Sequence, residues 1–105
     1  MKTIPEPTWK PPTPTTHGRL SASDKASLPD SAFAFPRARK EPMTDASHVR
    51  DAMARFNQVK DVTDAERDLA FVNFERAANH FEIEMKETGW HQFGARNTGR
   101  DIIHL

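Results

Sequence analysis

The sequence predicts a mainly α fold: a two-helix pair led in by a short extended ribbon, with disordered tails on both sides and room for a short strand after the second helix. Three observations carry that prediction. Apolar residues recur at helical spacing across Thr44–Val59 and again across Thr63–Phe81. Prolines crowd the start of the chain, where they fix φ and remove backbone donors. With 36% hydrophobic and 29% charged residues over 105 positions, the chain carries too little apolar material to order from end to end.

Residues 1–27 read as a Pro/Thr-rich disordered tail. Pro5, Pro7, Pro11, Pro12 and Pro14 alternate with threonines and favour solvated polyproline II. The functional alternative is a docking peptide, in which Trp9 fills a partner's pocket and Pro11 with Pro14 supplies PxxP spacing. His17–Ser27 is polar and reads as linker. The folded domain is then expected over residues 28–93, and residues 94–105, marked by Gly94, Asn97 and Gly99, form a flexible tail.

Order begins with Leu28-Pro29-Asp30, a turn signal. Phe33 and Phe35 share one face of an extended ribbon and should lie on the helices. Pro36 and Pro42 exclude a central strand here. Arg37, Arg39 and Lys40 follow as the densest basic cluster, which keeps an exposed edge soluble or, read functionally, touches phosphates.

The first helix takes Thr44 or Asp45 as N-cap and buries Val49, Ala52, Met53 and Phe56 on one stripe. The second opens on Thr63-Asp64-Ala65-Glu66, a capping box. Its apolar face is Ala70, Phe71, Phe74, Ala77, Ala78 and Phe81, while Val72 falls on the far side, where the ribbon or a partner would cover it. Phe81–Lys86 alternates apolar and charged residues. A helical continuation keeps Phe81 and Met85 on the Phe74 stripe, whereas an extended piece buries Phe81, Ile83 and Met85 together; a helix ending near His80 is preferred.

Fifteen basic and fifteen acidic residues cancel, so no net field draws the chain to nucleic acid or a membrane. No apolar run approaches the roughly 20 residues of a membrane span, and the start lacks a signal-peptide core; a cytoplasmic protein is expected. There is no cysteine, no nucleophile elbow, no phosphate loop, and no pair of histidines at i, i+4. The reading is therefore of a non-enzyme with no catalytic residues, metal or cofactor.

Leu28-Pro29-Asp30-Ser31-Ala32-Phe33-Ala34-Phe35, then Asp45-Ala46-Ser47-His48-Val49-Arg50-Asp51-Ala52-Met53-Ala54-Arg55-Phe56, then Ala77-Ala78-Asn79-His80 resemble an uncharacterised bacterial and phage domain. It occurs in small stand-alone proteins and attached to phage prohead-protease and head-associated proteins. The resemblance spans Leu28 to Ile83 and implies a compact helical fold without an established activity. Members carry Gly directly after the His that ends the second helix, where this chain has Phe81.

Two non-catalytic readings follow. The favoured one is a protein-interaction or accessory module of phage or prophage origin, with Trp9, Pro11, Pro14 and Val72 as candidate contacts. A small core without disulfides gains stability from a protein partner or from self-association. The alternative is a nucleic-acid-binding helix–extended–helix module using Arg37, Arg39, Lys40, Arg50 and Arg55. Asp64, Glu66, Asp68 and Glu75 at the start of the second helix oppose phosphate there.

Overall fold

The computed structural model describes residues 5–12, 20–86 and 89–90; Pro14 and the predicted tail 94–105 lie outside the described residues. The chain is built around a short hairpin. Strand β1 (Phe33–Phe35) pairs antiparallel with β2 (Lys40–Pro42), with Phe33 opposite Pro42 and Phe35 opposite Lys40. All three β1 residues are buried, so this strand is covered on both faces. Helix α2 (Ala46–Arg55) lies against β2, and α3 (Asp64–His80) rests mainly on β1. A six-residue helix α1 (Ala22–Ser27) precedes the hairpin.

This corrects the predicted fold class. Among the described residues the two-helix pair is replaced by three helices and a two-stranded antiparallel sheet, with the hairpin forming much of the surface on which α3 packs. The prolines did keep the strands short, but they sit at strand ends, where no ladder donor is lost from the middle.

Helix α1 stands where linker was expected, and its cause is local. Ser21 Oγ accepts the Asp24 amide at 3.0 Å while the Asp24 carboxylate accepts the Ser21 amide at 3.1 Å, a reciprocal capping box. The helix buries none of its residues. Its C-terminal end is held instead by Arg39, whose guanidinium donates to the carbonyls of Lys25 and Leu28, both at 2.9 Å.

The other two helices follow their sequence signals. Asp45 is the α2 N-cap, accepting the His48 amide at 2.8 Å. Thr63 and Glu66 close the capping box of α3 at 3.1 and 2.9 Å. Helix α3 ends at His80 in a Schellman motif: the Ile83 amide donates to Ala78 O at 2.8 Å and the Glu82 amide to Asn79 O at 3.3 Å. The reversal places Glu82 at φ 59°, the position where glycine is usual. No strand follows among the described residues; Ile83 and Met85 are half-buried against the core without ladder pairing.

The core gathers Phe35 and Ala34 from β1, Val49 and Ala52 from α2, and Ala70, Phe71, Phe74 and Ala77 from α3. Phe56 stands at its centre, with ring centroids 5.8 Å from Phe35, 5.6 Å from Phe74 and 5.9 Å from Trp90. One further core member comes from the segment expected to be disordered. Trp9 is 1% exposed.

Candidate functional site

Residues 5–12 form an arm that inserts Trp9 into a slot between α3, β1 and the link from β2 to α2. The slot has an aromatic and a polar part. The Trp9 ring meets His80 and Phe81 edge-on, at centroid distances of 5.6 and 5.8 Å. Its indole Nε1–H donates to Met43 O at 3.1 Å, which satisfies the one polar atom the ring carries inward.

The polar part is a single side chain. Asn73 lies on the buried face of α3 and is fully enclosed. Its Oδ1 accepts the consecutive amides of Thr8 and Trp9 at 2.8 and 2.9 Å. Its Nδ2 donates to Thr8 Oγ1 at 3.1 Å and to Ala34 O at 3.0 Å. All four hydrogen-bonding positions of the carboxamide are occupied, and the neighbours fix which end is oxygen. One residue further on, the Lys10 amide donates to Ser31 O at 3.0 Å. Asn73 thus ties α3 to both β1 and the arm.

This arrangement recognises backbone amides, two of which converge on one side-chain oxygen. Three consecutive amides of the arm are bonded by groups of the domain, and the ring supplies the apolar anchor. Pro7, Pro11 and Pro12 flank the bonded amides, restrict φ and lower the entropy lost on docking. Pro12 is buried while Pro11 is exposed.

The candidate cations are placed quite differently. Arg37 binds Glu66 through two parallel contacts, at 2.5 and 3.0 Å, and reaches Asp61 O at 3.1 Å. That fork, together with the Thr63 amide, pulls the Glu66 carboxyl down to about 2. Arg39 pairs with Asp30 at 2.6 Å and stacks 4.6 Å above the Phe33 ring. Lys40 donates to Lys60 O at 2.7 Å. Arg55 lies 3.4 Å from Glu41, whose carboxyl is raised by burial despite that cation. Arg50 is exposed and has no ion-pair partner among the described residues. Four of the five therefore hold the hairpin to α1, to the α2–α3 loop and the start of α3, or to the end of α2.

Shallow grooves converge on Arg55, but their charges alternate: Lys25, Lys40 and Lys60 stand beside Glu41, Asp51 and Asp61. No group of three or more potential metal ligands occurs among the described residues. No described helix is long and apolar enough to cross a membrane. Val72 is half-exposed on α3 and, like Leu69 one turn earlier, stands outside the core cluster.

The fold and the slot define a small helix-and-hairpin domain whose core is completed by an N-terminal arm. The chain belongs to a family of unknown function, DUF6582, whose model matches residues 20–88. The match starts earlier and ends later than the resemblance read from the sequence, and it takes in α1. Every slot residue named above lies inside the match, whereas the arm lies before it. No curated protein and no solved structure matches the chain.

Proposed function

We propose that this domain is a non-catalytic protein-interaction module and that its binding element is the slot that receives Trp9. The observation that supports the reading is the Asn73 clamp: one buried carboxamide, bonded to two successive backbone amides of the arm, beside a pocket sized for an indole. Enclosing an amide side chain this deeply is costly unless all its bonds are made. Backbone bonding combined with an aromatic pocket is how domains take up extended peptides. An accessory role in phage or prophage assemblies is the setting that the sequence resemblance favours, and a cytoplasmic location is the one that the lack of an apolar span in the sequence favours.

Trp9 accordingly acts as the ligand of the domain's own slot, and Pro11 belongs to the same docked segment. The nucleic-acid alternative draws less support, because Arg37, Arg39, Lys40 and Arg55 are engaged inside the molecule. Release of those cations to phosphates would break the contacts that hold the hairpin.

The test uses the full chain carrying Thr8→Pro, which deletes one amide bonded to Asn73 and loosens the arm without leaving a hole. A fluorescent peptide of residues 5–12 is expected to bind this variant saturably, and more tightly than it binds the parent chain. The same peptide with Trp9→Ala is expected not to bind. Equal, weak anisotropy changes for both peptides would refute the slot as a binding element.

A further inference from the structure

The slot reading can be taken one step further, to the identity of an occupant, and the inference rests on that reading. We propose that the arm of residues 5–12 is exchangeable between copies of this chain, so that the slot of one molecule takes the Trp9 arm of another. The occupant is a second copy because the structure already shows which segment fits. The indole of Trp9 is bonded to Met43 O, the amides of Thr8 and Trp9 to Asn73, and the Lys10 amide to Ser31 O. An identical arm from a neighbour makes the same bonds, so exchange alters no contact in the slot.

Among the described residues, covalent continuity is the feature that favours the arm's own molecule. Residues 13–19 join Pro12 to Leu20, a tether that reaches at most about 28 Å when fully extended. A short tether of this kind gives its own arm an effective concentration on the order of millimolar. Occupancy by a neighbour's arm therefore rises with protein concentration, and rises most where copies are held close together. Reciprocal exchange between two molecules closes a two-fold dimer; one-way exchange continues as a chain of copies, each filling the next.

The absence of cysteine makes the test direct. Lys10 and Ser31 lie side by side in the docked state, with the Lys10 amide 3.0 Å from Ser31 O. Two full-length single variants, Lys10→Cys and Ser31→Cys, are mixed across a concentration series and treated with a short bis-maleimide. A full-length double variant carrying both changes is treated alone at high dilution.

The double variant is expected to link within one chain. The mixed single variants are expected to give a Lys10→Cys/Ser31→Cys heterodimer several-fold above either variant alone, increasing with concentration and suppressed by excess peptide 5–12. If the double variant links internally but the mixture gives no more dimer than the controls, exchange is overturned and the slot stands. A heterodimer indifferent to the peptide also overturns exchange, because it then arises by collision. If the double variant fails to link, the arm is not seated as described, and both the exchange and the slot reading fall.

Discussion

Asn73 offers the sharpest perturbation. Replacing it with Ala removes four hydrogen bonds at once, leaves the Trp9 amide buried without the bond it makes to Asn73, and takes a side-chain donor from the Ala34 carbonyl. Each stranded buried group costs about 1–3 kcal/mol. The total is limited by detachment of the arm, which returns its amides to water, so a net loss of about 2–4 kcal/mol is expected, a large share of a small domain's stability. At about 4–8 °C per kcal/mol, the midpoint should fall by about 10–25 °C. Asn73→Leu refills the volume but not the bonds and should be nearly as damaging, which separates bonding from cavity formation. Thermal melts followed by circular dichroism give the loss. Fluorescence in a Trp90→Phe background reports Trp9 alone, and its emission should move to the red in both variants. Melting within about 0.5 kcal/mol of the parent, with unchanged emission, would refute Asn73 as the clamp.

Four further outcomes are expected. Phe74, fully buried and in edge contact with Phe56, should cost about 3–5 kcal/mol when replaced by Ala, read from urea denaturation. The Glu66 carboxyl titrates at about 2 in the fold against 4.5 when free, so its stabilising contribution is complete above about pH 4.5 and is lost as pH falls towards 2. Because Arg37 is 66% exposed, solvent screens the pair and the effect is small, and Arg37→Ala should flatten that acid limb in a pH series of melts. Glu82→Gly relieves a left-handed residue and should stabilise by about 0.5–1 kcal/mol; a lower midpoint would count against the Schellman end. Neutralising Arg37, Arg39 and Lys40 together should lower the melting midpoint, and a low-salt gel shift abolished by the same change without loss of folding would favour the nucleic-acid reading instead.

Local signals in this sequence translate into structure, and long-range ones do not. The α3 start was legible because Thr63 and Glu66 satisfy each other within one turn. The same grammar at Ser21 and Asp24 marks α1, but no apolar stripe accompanies it, so the segment reads as polar linker in the sequence. The hairpin was half legible: the extended ribbon and its buried phenylalanines follow from composition, but pairing with Lys40–Pro42 was hidden by the flanking prolines. The alternation after His80 pointed to a strand that the structure does not form, since Ile83 and Met85 reach the core without a neighbouring strand.

Trp9 was the larger surprise. A proline-dense segment has no periodicity to reveal burial, and its partner Asn73 is 64 residues away. One clue was present. Asn73 occupies the same helical stripe as Ala70 and Ala77, and a polar side chain on a buried stripe must find partners. The structure shows that those partners are Thr8 and Trp9 of the arm and the Ala34 carbonyl of β1.

Hydrogen exchange of the Thr8, Trp9 and Lys10 amides and of the Trp9 indole, followed by NMR in the intact chain, tests most directly whether the arm is part of the fold. Protection close to that of the buried Phe74 turn of α3 is predicted. Exchange at the rate of an unstructured peptide, with α3 still protected, would contradict the account.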